Sequence, residues 1–565
     1  MLPHRRKGLS AAATSKQIAL RPPSEVMRLD RLGSTFPTRL SFMRILLRQM
    51  AAEDWRLRRT RFDIDGNGFG RAVYTVSSPQ HTYSLIAFSQ FLDPAERTDR
   101  VLAEAWDATF VLFDGVPNET DIERLAKEAP QQETGRYRTS DLVLSRANKS
   151  VRLFEHVVDS LASGRQPNRQ LTVEIGYLMR TTAVYANGKF GLADLSVYAD
   201  RVALSPPFQA EMLTVYLIRC FTFDLVEHVA RCTNPDGFVP LNNTYKRYLG
   251  IGNATGLGMA PFLISHPTLI HNWFHARETA LADIRSVPRA TAADIAHFES
   301  LIAKAAAHVG EWNVEDETQT ARIEVLRQEV EEIIKWPVSP DTEYIWDGIF
   351  RRAKTEFSME GQELLVSILL ELYPDNVDKL AHRLSSGPEP LLNAGMTVGE
   401  LRRLLADHYM WTRHFGFGDD EVNRYVWYYS DEKLEPRRGV QRTEIGASKS
   451  MSVAVARDIQ ALRKKLAHEE VNSPLAAFLL EHPECRDTVR RVQNAEAHPY
   501  SELRENLIGT NCRPIDILRA KLAYFGASRF DPKSDLWTRI TMYQGAPLPT
   551  ELSEDRDWSF PVLEA

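Results

Sequence analysis

The chain has 565 residues, a net charge of −6, and 43% hydrophobic and 25% charged residues, the balance of a globular protein long enough for several domains and an enclosed cavity. No run of about 20 apolar residues is present, which excludes a bilayer-spanning helix. The four cysteines, Cys220, Cys232, Cys485 and Cys512, lack the CxxC spacing of a zinc ribbon or redox pair and suit a reducing cytoplasm.

The charge is unevenly placed. Residues 1–61 hold fourteen Lys or Arg against four Asp or Glu, so this end stands at +10 and the remainder at −16; the basic end is expected to fold onto the acidic body. Residues 1–23 carry Arg5, Arg6 and Lys7 without the apolar stretch of a secretory signal and read as a mobile basic tail. No nucleic-acid reader motif accompanies the basic charge, so a nucleic-acid partner is not expected.

An α+β region is expected over 24–205. Residues 39–59 read as an amphipathic helix, followed by strands at 71–76, 82–88 and 106–113, all rich in β-branched or aromatic side chains. Asn118 followed by Asp121 marks the start of a helix to 128. Ala186-Asn187-Gly188-Lys189 is a turn signal for a hairpin over 173–194. The string DIDGNG at 63–68 matches the first half of a calcium loop, but Tyr74 stands where a bidentate Glu is required. It reads as a turn between strands.

Helices dominate the body expected over 206–535. Pro206 and Pro207 suit the first turn of a long buried helix. This helix also carries Glu211, Arg219, Asp224, Glu227 and His228, with Asp224 and His228 spaced to pair; a structural ion network is the leading explanation, since buried charge needs partners. Two helices follow over 293–334, and others at 361–372, 376–384, 398–409, 449–468 and 514–524, before a C-terminal wrap or tail over 536–565. The fold class expected is α+β, predominantly helical, with an N-terminal sheet-containing region and a large helical body.

The chemistry is expected where glycine and histidine converge, in GIGNATGLGMAPFLISHPTLIHNWFHAR at 250–277. Gly250, Gly252, Gly256 and Gly258 fit neither GxGxxG nor a P-loop. They read either as a flexible loop that directs N–H groups at an anion, with Gly252, Asn253, Thr255, Gly256 and Gly258 as binding residues, or as a tight backbone crossing through a packed core. His271 and His275 lie one helical turn apart and are the candidate proton carriers. Glu278 extends that face, but the HExxH pattern is missing and no metal is assigned. His266 precedes Pro267 and falls off the helix.

A second candidate spans 424–458, where the aromatic run RYVWYYS precedes a basic turn and a Gly-Ala-Ser-Lys-Ser helix entry. Arg442 and Lys449 would attract an anion, with Ser448 capping the helix. The function expected is acid–base chemistry, elimination or hydrolysis, on a small anionic organic substrate. Two alternatives are a flavin-type oxidoreductase using the aromatic cluster and a noncatalytic protein that docks a partner through its basic end. The spacing identifies no cofactor and no oligomeric state.

Overall fold

The computed structural model describes residues 17–28, 31, 39–93, 95, 105–130, 138–185, 200–204, 206, 208–256, 267–384, 391–414, 425–430, 435–440, 447–448, 455–502, 529–534, 537–553 and 558–563. The fold is α+β and mostly helical. No helix among the described residues is long and apolar enough to cross a membrane.

The helix expected over 39–59, α1 (Phe42–Ala52), ends at Ala52, short of residue 59. Arg56–Ile64 instead forms strand β1, because its partner β2 (Gly70–Ser77) takes up its backbone groups in antiparallel register. The DIDGNG string is the turn between them. Asp65 Oδ1 accepts from the N–H of Asn67 at 2.9 Å and of Phe69 at 2.8 Å, and Gly68 and Gly70 take φ of 85° and 141°, which side-chain-bearing residues rarely adopt. Strands β3 (Thr82–Ser89), β4 (Ala108–Asp114), β5 (Asp141–Lys149) and β6 (Tyr177–Tyr185) continue the sheet. Between β4 and β5, α2 (Glu119–Glu128) starts with the expected capping box at Asn118 and Asp121.

The strand period of two splits the side chains between two layers. Ala72, Tyr74 and Val76 enter the main core, while Val73 joins Ile86, Val111 and Phe113 against Ile122 and Leu125 of α2. The main-core face is crossed by α3 (Gln209–Thr233), whose contacts run from β2 to β7 (Gly250–Gly256). Phe221 of α3 meets Tyr74 and Phe110 edge-on at 6.3 and 5.5 Å between ring centroids. Helix α3 begins after Phe208 rather than at the expected prolines. The turn expected at 186–189 lies outside the described residues; β6 pairs with β5 and, in parallel, with β7.

Among the described residues the sheet order is β1-β2-β3-β4-β5-β6-β7-β12-β11, ending in a hairpin of β11 (Arg529–Ser534) and β12 (Trp537–Met542). Strands from both ends of the chain thus share one sheet. The helical body lies in sequence between β7 and β11. That body contains α4 (Pro267–Arg285), α5 (Ala292–Glu311), α6 (Glu317–Lys335), α7 (Ile345–Glu356), α8 (Met359–Leu372) and α9 (Pro374–Asp378), which share the main core. A separate core joins α10 (Val398–His408), α11 (Val455–Leu466), α12 (Leu475–Glu481) and α13 (Arg486–Ala497). The C-terminal segment wraps the body: Trp558, Phe560 and Leu563 are buried, and the Pro561 carbonyl lies 2.9 Å from His308 Nδ1.

The basic end does fold onto the acidic body. Arg21 pairs with Glu278 and Glu363, Arg31 with Glu363, Arg39 with Glu371 and Asp378, and Arg44 with Glu371. Arg21 is buried, so it is an anchor and not part of a mobile tail; residues 1–16 lie outside the described residues.

Candidate functional site

A cleft of ≈ 240 Å³ lies between α1, α9 and the C-terminal wrap. Helical spacing places Arg44, Leu47, Arg48 and Ala51 on one face of α1, and Arg39 precedes the helix. Asp378, at the end of α9, and Leu552 and Trp558 of the C-terminal wrap also line it. Glu371 lies beneath, fully buried.

The acids hold two of the three guanidinium groups firmly. Asp378 receives a fork from Arg39, Nε at 2.6 Å and Nη2 at 2.8 Å. Glu371 accepts from Arg44 Nη1, from Arg44 Nη2 at 3.1 Å and from Arg39 Nη1 at 3.1 Å, with the Ser559 hydroxyl donating at 3.1 Å. Burial pushes the Glu371 carboxyl up, but Arg44 and Arg39 outweigh it and hold it at about 2. The Arg44 guanidinium also sits 5.4 Å from the Trp558 ring.

Arg48 is held less completely. Its Nη1 donates to the Arg39 carbonyl at 2.8 Å and its Nε lies 3.2 Å from Asp378. Its Nη2 is buried and has no partner among the described residues. Among the described residues these three guanidinium groups face two carboxylates, Asp378 and Glu371. Burial lowers the Arg48 pKa to about 9 against the pull of Asp378, with Arg39 and Arg44 lowering it further. A buried donor without an acceptor costs about 1–3 kcal/mol, and an anion in the cleft would satisfy it.

The expected glycine site resolves differently. Residues 250–256 form a strand, not a flexible loop, and two of its glycines answer to packing. A Cβ on Gly250 would lie 2.3 Å from the Met542 carbonyl oxygen, and one on Gly252 would lie 2.8 Å from the Tyr177 ring. Asn253 Nδ2 donates to Thr181 Oγ1 at 2.8 Å. Thr255 and Gly256 are paired in register with Thr538 and Trp537. Gly258 and His266 lie outside the described residues, as do Arg442 and Lys449. Ser448 belongs to β10 (Ala447–Ser448), which pairs with β8 (Tyr425–Ser430) beside β9 (Glu435–Val440). The described part of the next helix, α11, begins at Val455; residues 449–454, between Ser448 and that helix, lie outside the described residues.

His271 and His275 do lie one turn apart on α4, with ring centroids 5.4 Å apart. His498, just beyond α13, approaches His271 edge-on at 4.9 Å, and Tyr500 stacks at 5.8 Å. The Tyr500 N–H donates to His271 Nδ1 at 3.2 Å, and its hydroxyl donates to the Arg21 carbonyl at 2.7 Å. Nδ1 of His271 is thus an acceptor, which places the ring proton on Nε2. Burial, then His498, then His275 lower the His271 pKa to about 4. Glu278 does not complete a metal face, because Arg21 Nε and Nη2 each hold one of its oxygens at 2.7 Å.

The charges on α3 have separate structural partners. Asp224 accepts from the Tyr74 hydroxyl at 2.6 Å and pairs with Arg59 at 3.0 Å, whereas His228 Nε2 lies 3.0 Å from the Asp65 carbonyl. The expected Asp224–His228 pair is replaced by these longer-range bonds. Glu227 pairs with Lys246, and Arg219 donates to the carbonyls of Lys246, Arg247, Leu249 and Ala546. Glu469, Glu481 and His482 place ligand atoms within 4.8 Å of one another, but the Lys465 ammonium lies 3.5 Å from His482 Nδ1 and supplies positive charge there already.

Sequence reasoning missed the arginine cleft. Its signal was the excess of basic residues before residue 61 together with the i, i+4 spacing of Arg44 and Arg48 on an amphipathic helix. No protein-family model, curated protein or solved structure matches the chain.

Proposed function

We propose that the protein binds a small organic anion in the cleft formed by Arg39, Arg44 and Arg48. The observation that carries this reading is Arg48, which lines the cavity and whose buried Nη2 has no partner among the described residues. Arginine presents paired N–H groups that match carboxylate and phosphate oxygens. The apolar lining residues Leu47, Leu552 and Trp558 suit an apolar or aromatic body attached to that head group.

The proposal is one of binding. Besides the guanidinium groups, the described lining residues with polar side chains include Asp378, already held by Arg39, and Ser553. Isothermal titration of the full chain with benzoate and phenyl phosphate tests the reading against Arg48→Met. Saturable binding that weakens in the variant and with added salt is expected. Equal binding by both proteins would refute the site, and no binding by the wild type would refute the proposed ligand class.

A further inference from the structure

The histidines of α4 have a role open to them that does not involve the cleft. The main core and the core of α10–α13 are separate apolar clusters, and α4 meets α13 where they adjoin. Just beyond α13 the chain enters the main core at Tyr500, which is buried there. Tyr500 is fixed at both ends: its N–H bonds His271 Nδ1 and its hydroxyl bonds the Arg21 carbonyl. The first bond exists only while His271 Nδ1 carries no proton. His498 supplies another imidazole at 4.9 Å, and its Nδ1 is buried without a partner among the described residues.

We propose that His271, with His275 and His498 packed beside it, forms a proton-sensitive clasp, which holds Tyr500 and the end of α13 against α4 while His271 Nδ1 carries no proton and releases them on acidification. A proton on His271 Nδ1 would set one N–H against another, removing the bond, and would place positive charge beside two further imidazoles. Among the described residues the neighbouring acids are already engaged. Along α4 and behind Tyr500, Glu278 and Glu363 are held by Arg21, Arg31 and Arg277. On the other side, Glu502 pairs with Arg491 and accepts from the Tyr409 hydroxyl. Asp458 of α11 is raised to about 6 by burial against the pull of Arg491 and Arg457. Asp458 therefore takes up a proton as the pH falls through this range and adds no negative charge.

The direction follows from proton linkage. A docked His271 with its pKa at about 4 takes up a proton less readily than a released imidazole at about 6.5. Above 6.5 both states are neutral and the clasp is at full strength. From there down to about 4 it weakens roughly tenfold per pH unit, and below that the loss is constant.

Hydrogen exchange of peptides spanning residues 498–502 in the full chain, corrected for the intrinsic pH dependence of exchange, reads this directly, with far-UV circular dichroism reporting the overall fold. Between pH 7.5 and pH 5.0 wild-type protection should fall by roughly 30-fold for a single imidazole, with the helical signal retained. His271→Asn keeps an oxygen acceptor near the Nδ1 position but cannot be protonated, so its protection should stay constant. If that variant does not fold, His498→Asn replaces it as the test and should reduce the pH dependence. Unchanged wild-type protection, an equal loss in the variant, or loss of helical signal in the wild type at pH 5.0 would overturn the proposal.

Discussion

Replacing Arg48 by Met separates a binding residue from a structural one. The substitution removes the 2.8 Å bond to the Arg39 carbonyl and the 3.2 Å contact with Asp378, each worth about 1 kcal/mol. It strands no acid, because Asp378 keeps both of its bonds from Arg39. It also removes the charge that Arg39 and Arg44 repel, and it leaves the alkyl stem's packing largely in place. These contributions oppose each other, so the denaturation midpoint without ligand should move by no more than the equivalent of about 1 kcal/mol. Binding of phenyl phosphate should respond far more, because one charge-assisted hydrogen bond of about 1.5–3 kcal/mol corresponds to about 10- to 150-fold in Kd. Arg44→Met is the control. It leaves Glu371 buried with only part of its compensation and should destabilise by about 3–5 kcal/mol. Urea titrations with and without ligand, together with calorimetric Kd values, supply both readings. Should Arg48→Met destabilise as much as Arg44→Met while leaving Kd unchanged, the three arginines are a structural network and the charge argument fails.

The other expectations concern the scaffold. Glu211 is buried and burial raises its pKa to about 8; the folded state therefore retains a proton that the unfolded state loses near 4.5, and stability should fall as pH rises from 4.5 to 8, by at most about 1.4 kcal/mol per unit. Glu211→Gln should remove this slope, and urea midpoints at pH 5 and pH 8 measure it. Gly252→Ala drives a Cβ against the Tyr177 ring and should cost about 1–3 kcal/mol, whereas Gly310→Ala, exposed near the end of α5 with nothing within 4 Å, should be neutral or stabilising by up to about 1 kcal/mol; thermal unfolding of the pair gives opposite signs if packing explains the β7 glycine. Asn118→Ala removes the capping box of α2 and should destabilise by about 1 kcal/mol, read as a shift in denaturation midpoint.

What could be read from the chain follows the range of the interactions involved. The α2 start at Asn118 and Asp121 is local, and strands β2 and β3 carry their own period, so each was visible within a short window. The end of α1 was not. Its amphipathic pattern continues past Ala52, and only pairing of Arg56–Ile64 with β2 makes the strand win. The glycines of β7 show the same limit more sharply. Gly250 is small because the Met542 carbonyl approaches from a strand nearly three hundred residues later, and local composition cannot distinguish that contact from a ligand's. The histidines were legible as a pair, but Tyr500, whose N–H determines the tautomer of His271, and His498 beside it lie beyond α13, far along the chain. In the cleft, the sum of charges was legible and the pairing was not. The excess of +10 over residues 1–61 required acidic partners in the body, and Glu278, Glu363, Glu371 and Asp378 are such partners. Only the geometry shows which arginine meets which acid, and that Nη2 of Arg48 is buried beside a cavity with no partner among the described residues. A bulk imbalance says that a basic segment will dock; the three-dimensional pairing says which guanidinium group remains to be tested for an anion.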